Sequence, residues 1–197
     1  FSSSLPEHLH VKDPFFWTTS RGDRLGFCSH PFNWSSSNTG VIDLPAAGAN
    51  ATSPHHGVIS RGTTWDVAML RGTGVLKLPR VGPFADQDHH LLFYCGGECL
   101  REIDEHATAV TRPRGYSCEE IGGVAWYAGD DISSAKRLSN LLPLFISPFG
   151  TGCSRYVDVL ATEDGFYATW QQSQTDLSQP LVLNFVDRST AERLLAG

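Results

Sequence analysis

Short apolar runs with a two-residue alternation dominate the chain, and Gly, Pro, Asn and Ser bound most of them. In "TTWDVAML" the alternation places Trp65, Val67 and Met69 on one side, which predicts a strand. The run "GVLKL" follows after residues 71–73 ("RGT"), which we expect to form a hairpin-like connection. This texture is typical of antiparallel sheets.

Two further strands are predicted in "RYVDVLATEDGFYATWQ", because residues 163–165 contain an Asp-Gly pair of the kind that hairpins prefer. In the second of these strands Phe166, Ala168 and Trp170 share a face. The run "PLVLNFV" predicts another strand. The runs "HLLFYC", "GGVAWYA" and "PLFISPF" are apolar enough to be central strands.

Only two segments have a helical pattern. In "DDISSAKRLSNLLP" apolar residues recur every three positions from Ile132 to Leu141, and Pro143 would end the helix. In "DRSTAERLLAG" Ser189 is followed three residues later by Glu192, which is the spacing of a capping box. We therefore expect one or two short helices.

Strand runs without a regular alternation of strand and helix favour an all-β antiparallel sandwich or barrel. The segment from Ser29 to Arg61 is rich in Ser, Asn, Gly, Ala and Pro, and only "VIDL" resembles a strand, so long surface loops are predicted there. The 197 residues fit a single domain, 1–197. Because residue 1 is Phe and a single Met occurs, we expect a fragment of a longer precursor.

The net charge of −6 argues against nucleic acid as a partner, and no apolar run is long enough for membrane insertion. The glycosylation sequons at Asn33 and Asn50 point to secretion, whereas an odd number of cysteines favours reduced folding. The five cysteines are Cys28, Cys95, Cys99, Cys118 and Cys153.

The pair Cys95 and Cys99, in "YCGGEC", allows a local disulfide, a metal half-site, a nucleophile or two structural thiols. A zinc site would need a second close pair, and a nucleophile would need a base. We expect these cysteines to pack at the end of a strand, with "GGE" as a turn, because cysteine is among the most buried residue types.

The cluster "DQDHH" is the strongest candidate for metal chemistry. On one extended strand Asp86, Asp88 and His90 would point to the same side, as two carboxylates and an imidazole that suit a divalent ion. The first and last of them would be about 13 Å apart, so all three need a bend to meet one ion. We therefore expect a polar loop before the strand "HLLFYC", with the metal site as the weaker alternative, and no metal or other cofactor.

The aromatic residues suggest a surface for recognition. Trp34 lies in the predicted surface loops, and Trp126 and Tyr127 are followed closely by Asp130 and Asp131. An aromatic face beside carboxylates is a common design of sugar sites, although each aromatic side chain is more simply explained as a packed or half-buried one. These five residues are the candidates for receptor or glycan binding.

The tripeptide Arg21-Gly22-Asp23, which integrins recognise, is predicted to be a turn between two strands. The chain contains no zinc-protease helix motif, no nucleophile elbow and no phosphate-binding glycine loop. This absence favours a non-enzymatic binding protein. A secreted hydrolase and a disulfide-bonded secreted binding protein are the alternatives.

In overall texture, above all in "GDDISSAKRLSNLLPLFISPFG" and "DGFYATWQQSQTD", the chain resembles the protruding spike domain of astrovirus capsid proteins, especially of the avian type. The resemblance implies a homodimeric spike, assembled in the host cytoplasm and displayed on the virion surface. Such a spike attaches the particle to a host receptor or glycan without catalysis. No short motif fixes receptor-contacting residues.

Overall fold

The computed structural model describes residues 10–30, 37–45, 49–50, 52–97, 120–150, 152–176 and 178–197. These residues form three antiparallel sheets of consecutive strands. The first sheet holds β1 (His10–Thr19), β2 (Gly22–His30) and β3 (Asn38–Asp43). The second holds β4 (Met69–Lys77), β5 (His89–Gly97), β6 (Ile121–Ala128) and β7 (Lys136–Arg137). The third holds β8 (Ser154–Ala161), β9 (Gly165–Gln172) and β10 (Leu181–Asp187), and helix α1 (Arg188–Ala196) follows. The predicted all-β antiparallel class is confirmed.

The second sheet is the centre of the molecule. On one side of β5, Leu92 and Tyr94 join a core cluster with Phe15 and Trp17 of the first sheet. On the other side, Phe93 packs with Val157 of the third sheet. Because β5 is buried on both faces, the run "HLLFYC" is continuous rather than alternating, as predicted for a central strand.

The strand that opens each sheet, β1, β4 or β8, packs beside the opening strand of the next sheet. We call these three the first strands. Neighbouring blades of a β-propeller are also consecutive antiparallel sheets that pack side by side. The stacking brings residues from three distant parts of the sequence together along one line.

Several predicted elements are confirmed. The Asp-Gly turn joins β8 to β9, and the runs "GGVAWYA" and "PLVLNFV" form β6 and β10. The turn at Ser20 and Arg21 joins β1 to β2, and "VIDL" overlaps β3. Helix α1 is present, but its N-cap is Asp187, whose carboxylate accepts a hydrogen bond from Thr190 N at 2.9 Å. The N-cap thus lies two residues before Ser189, so the predicted capping box of Ser189 and Glu192 is wrong.

The helix predicted over "DDISSAKRLSNLLP" is wrong. A single 3-10 turn, Ile132–Ser134, is capped by Asp131, and the short strand β7 follows directly. Leu138 and Leu141 are exposed, so the three-residue spacing does not describe a buried helical face. The run "PLFISPF" is not a strand either, and it forms only an isolated bridge between Phe145 and Gly122.

The strand predicted over "TTWDVAML" begins only at Met69, because residues 63–68 are turns and bends. Residues 71–73 are no hairpin. The strand continues through them with a one-residue bulge, since Gly72 pairs with Tyr94 and Gly74 pairs with the adjacent Phe93. Glycine and a β-branched residue thus mark a bulge here, not a chain reversal.

Candidate functional site

Each of the three first strands carries one bulge, at the end where the strand begins. The register shifts lie between Lys12 and Phe15 in β1, between Gly72 and Gly74 in β4, and between Arg155 and Asp158 in β8. The bulged Thr73 donates a hydrogen bond from Oγ1 to Val157 O at 2.5 Å, which links two of these bulges directly. Bulges re-aim side chains and are common beside functional sites.

Two non-glycine residues in the described part of the chain have positive φ, and both lie inside these bulges. They are Asp13, at 53°, and Tyr156, at 57°. The left-handed region is uncommon for residues with a Cβ and is a strained position for a bulky one. The fold therefore holds two side chains in unfavourable backbone conformations at the same place.

The side chains that meet there form a buried ionic network. The Arg71 guanidinium donates from Nη1 to Asp13 Oδ2 at 3.1 Å and from Nη2 to the Glu120 carboxylate. Arg155 Nη1 lies 3.7 Å from Glu120 Oε1, and its Nε donates to Gln171 Oε1 at 2.8 Å. Buried charges persist only when they are paired in this way.

The Tyr156 ring lies against both guanidinium groups, with centroid distances of 4.7 Å to Arg71 Cζ and 5.1 Å to Arg155 Cζ. We call Asp13, Arg71, Glu120, Arg155 and Tyr156 the Arg71 cluster. Three members are almost fully buried, whereas the Asp13 side chain is 31% exposed and Tyr156 is half-buried. Solvent or a ligand therefore meets the cluster through Asp13 and Tyr156.

The electrostatics of the cluster keep Arg71 charged. Burial by itself lowers the pKa of Arg71, but Cys95, Tyr156, Cys28 and Asp13 raise it, and the net direction is upward. Burial raises the pKa of the Cys28 thiol to about 11, and it raises that of Cys95 as well. Both thiols are therefore protonated at neutral pH, which argues against a nucleophilic cysteine.

Cys95 lies within β5, where its Sγ accepts a hydrogen bond from Tyr156 N at 3.1 Å. This fits the expected packing role, although Gly96 and Gly97 still belong to the strand and are not a turn. Cys153 is buried next to β8. Cys99 and Cys118 lie outside the described residues, so their pairing stays a prediction.

A groove of about 550 Å³ runs between the first strands, and we call it the first-strand groove. Its apolar wall includes the exposed ring of Phe16, and its polar groups include Lys77, His90 and Asp158. The volume suits a small ligand. The lining residues are Phe16, Trp17, Thr18, Val75, Leu76, Lys77, His90, Asp158, Val159, Leu160 and Ala161.

The candidate metal ligands do not converge. Asp86 Oδ1 lies 2.9 Å from His89 Nε2, and Asp88 pairs with Lys77 and Arg80, each at 2.7 Å. His90 is buried in β5, where its ring stacks on Tyr127 at 4.8 Å. Among the residues that the structure describes, no three His, Cys, Asp or Glu side chains are placed to hold a metal ion.

The predicted aromatic recognition surface is divided between two faces of β6. Tyr127 is buried in the core, whereas Trp126 stacks on His89 at 5.6 Å. Asp130 accepts a hydrogen bond from Ser20 N at 3.3 Å, and Asp131 caps the 3-10 turn. The rings and the carboxylates therefore do not form one stacking site.

Asp131 instead lines a polar hollow of about 350 Å³ with Arg21, Arg24 and His55. Trp34 and the sequon at Asn33 lie outside the described residues. Asn50 is exposed, and the use of either sequon stays a prediction. In the described ranges no helix is long and apolar enough to cross a bilayer.

The sequence contained one signal for the Arg71 cluster that motif analysis missed. Arg71 and Arg155 interrupt apolar strand runs, "MLRGTGVL" and "SRYVDVL", and a charged residue in a buried strand needs a partner. The partners come from β1 and from the residue before β6, so no short motif contains them.

No family model matches the chain, and no curated protein matches it. Solved structures do share its fold. A crystal structure of an α-L-arabinofuranosidase from Lactobacillus brevis has a TM-score of 0.57 at 12% identity, over 90% of this chain and 52% of that one. A structure of a BT0996 complex with RGII has a TM-score of 0.59 at 11% identity, and a structure named as a glycoside hydrolase has 0.57 at 12%. Each of these two covers 97% of this chain and 57% of the other.

The chain thus spans slightly more than half of the length of these structures, and the likeness shows a shared fold. It contradicts the prediction of a non-enzymatic protein, because the fold is one that glycoside hydrolases use. That prediction rested on the absence of short motifs, which does not exclude an enzyme whose site residues come from separate strands. The resemblance to an astrovirus spike is not tested by these structures and stays a prediction.

Proposed function

We propose that the chain forms part of a carbohydrate-active enzyme of the glycoside hydrolase type, with a sugar site that extends from the Arg71 cluster into the first-strand groove, which contains Asp158 at the end of the β8 bulge. The shared fold supports this class. The observation that carries the proposal is the convergence of three bulges, two strained residues and a buried ionic network on one place between the first strands.

The chemistry of the place suits a sugar. A sugar ring has apolar faces that stack on aromatic side chains, and its hydroxyl groups bond to carboxylates and guanidinium groups. The groove offers the ring of Phe16 and the carboxylate of Asp158, and the cluster offers Asp13. Glu120 is too deeply buried to contact a ligand, so it positions Arg71 instead.

Hydrolysis of a glycosidic bond needs two carboxyl groups, one on each side of the scissile bond. One protonates the leaving oxygen, and the other attacks the anomeric carbon or activates the water that does so. Asp13 and Asp158 are the accessible carboxylates of the bulged regions in β1 and β8, on the two sides of β4. We assign them as this pair, with Arg71 holding the Asp13 carboxylate in place.

The test is hydrolysis of a panel of aryl glycosides that includes α-L-arabinofuranosides. We expect activity in the wild type and a loss of about 10²- to 10⁴-fold in kcat for Asp13→Asn and Asp158→Asn. Asp176→Asn, a change of the same type at an exposed turn outside the site, should retain full activity. An inactive wild type that still binds the sugars in calorimetry would reject hydrolysis but keep the sugar site. Equal activity of all three variants would reject the site.

A further inference from the structure

The polar hollow of about 350 Å³ lies at the end of the first sheet where β1 turns into β2. Its walls also include the end of β3, the segment around His55 and the 3-10 turn Ile132–Ser134. From Asp13 in the β1 bulge to the turn at Ser20 the strand runs for about 20 Å. None of the described residues lines both this hollow and the first-strand groove. The hollow is therefore a place separate from the proposed site of hydrolysis.

Arg24 is held in a fixed position in the wall of the hollow. The residue is only 9% exposed. Its Nε donates a hydrogen bond to Asp43 Oδ1 at 2.7 Å, and its Nη1 donates to the carbonyl oxygen of Asp130. Its Nη2 has no hydrogen-bond partner among the residues that the structure describes, and it remains accessible from the hollow. Such a guanidinium group is stabilised by a ligand that accepts a hydrogen bond there.

Both donors and acceptors surround Arg24. Arg21, whose side chain is 65% exposed, adds a second guanidinium group. Asp43 and Asp131 add carboxylates, and the Oδ2 atom of each accepts no hydrogen bond within the described part of the chain. Hydrogen bonds from Ser133 lower the pKa of Asp131, so this carboxylate is ionised at neutral pH. A ligand in the hollow therefore meets groups that donate and groups that accept, side by side.

The charges of the hollow cancel, and this balance selects the kind of ligand. Arg24 pairs with Asp43, and Arg21 Nε lies 3.6 Å from Asp130 Oδ2. An anion would meet the carboxylates and a cation would meet the guanidinium groups, so neither gains a net attraction. A neutral molecule with several hydroxyl groups gains from both, because each hydroxyl donates and accepts.

We propose that the polar hollow is a second carbohydrate-binding site, which takes a neutral sugar unit through its two guanidinium groups and its two carboxylates. The apolar side chains of Val41, Val58 and Ile132 complete its lining and fit the C–H face of a sugar ring. The volume suits a small ligand. This site stands without the proposed hydrolysis, because neither Asp13 nor Asp158 belongs to it.

The experiment is an NMR titration of the isotope-labelled chain with L-arabinose, D-galactose and D-glucose as neutral probes, glycine as a zwitterion and acetate as an anion. We expect a saturable shift of the Arg24 Nε–H resonance with the neutral sugars. Arg24→Lys and Arg21→Ala should each raise the dissociation constant by about tenfold or more, since each removes hydrogen bonds from a charged group. Arg193→Ala, at an exposed arginine on α1, is the matched control for Arg21→Ala and should bind as the wild type does.

Circular dichroism establishes whether each variant is folded, and if Arg24→Lys is not, Arg21→Ala decides. The absence of a saturable shift with every neutral sugar would overturn the proposal. Shifts with glycine or acetate but not with the sugars would overturn it in favour of a charged ligand. Equal binding by Arg21→Ala and Arg193→Ala would place the sugar outside the hollow.

A titration of Asp13→Asn separates this site from the proposed hydrolysis. Shifts that persist in this variant support the hollow, even if the wild type hydrolyses no glycoside. Shifts that disappear in it would show that the sugar binds at the Arg71 cluster, and they would overturn the proposal while keeping the sugar site there.

Discussion

At the end of the sheets where the first strands begin, Arg71, Glu120 and Arg155 are buried, and Glu120 pairs with both guanidinium groups while Asp13 also pairs with Arg71. About 20 Å along β4, at its other end beside the first-strand groove, the exposed Lys77 shares the carboxylate of Asp88 with Arg80, which lies beyond the strand. Both ends contain ion pairs, but only the first combines them with bulges and strained residues. Ion pairing alone therefore does not support a functional site, whereas its combination with burial and backbone strain supports the proposed one.

The largest expected effect comes from removing the shared carboxylate of the buried end. Glu120→Ala leaves Arg71 and Arg155 with one buried partner fewer, and such a loss typically costs about 3–5 kcal/mol in free energy of unfolding. The matched control is Glu192→Ala, which removes an exposed pair with Arg188 on α1 and should cost well under about 1 kcal/mol. Urea denaturation of both variants measures the difference.

A cost for Glu120→Ala no larger than that of the control would show that the Arg71 cluster is not a coupled network. In that case the cluster would not differ in kind from the exposed pairs, and its buried charges would no longer support a functional site there.

The second effect concerns His90, which pairs with Lys77 at the exposed end and lines the first-strand groove. Burial lowers the pKa of His90, against the nearby Asp88 and Asp130 carboxylates, which raise it. The unfolded chain, with an ordinary His pKa of about 6.5, therefore binds the proton more tightly than the folded chain. The contribution of His90 to stability is present above about pH 6.5 and decreases as the pH falls below it.

The slope attributable to one such group is at most about 1.4 kcal/mol per pH unit. We expect His90→Phe, which preserves the ring contact with Tyr127, to reduce the loss of stability between about pH 6.5 and 5. His55→Gln, at an exposed histidine, is the control for the removal of an imidazole as such. Unfolding free energies measured at several pH values test this, and an unaltered slope in His90→Phe would contradict it.

Local patterns predicted the third sheet well, because its strands are joined by an Asp-Gly turn whose chemistry is contained in neighbouring residues. They failed for residues 130–143, where apolar residues at three-residue spacing are exposed and not buried. They also failed for the bulge at Thr73, which depends on β5 and β8. Asp13 and Glu120 could not be assigned to Arg71 because that contact requires knowing which strands are neighbours.

The smallest expected effect is at the exposed end, in the ion pairs of Asp88 with Lys77 and Arg80. Hydrogen bonds from Lys77 and Arg80 lower the pKa of Asp88 to about 2. Because these cations are exposed, salt screens the pairing, and the pKa should rise towards its ordinary value in about 1 M salt. A depressed carboxyl pKa stabilises the fold above the unfolded value of about 3.9, and that contribution disappears as the pH falls through about 2. The pair is worth about 0–1 kcal/mol, so Asp88→Asn should cost no more than that at neutral pH. Titration of the Asp88 carboxyl by NMR at low and high salt measures this change in pKa. A pKa that does not change with salt would contradict the prediction, because it would show that the ion pairs of Asp88 are as shielded from solvent as those of the Arg71 cluster.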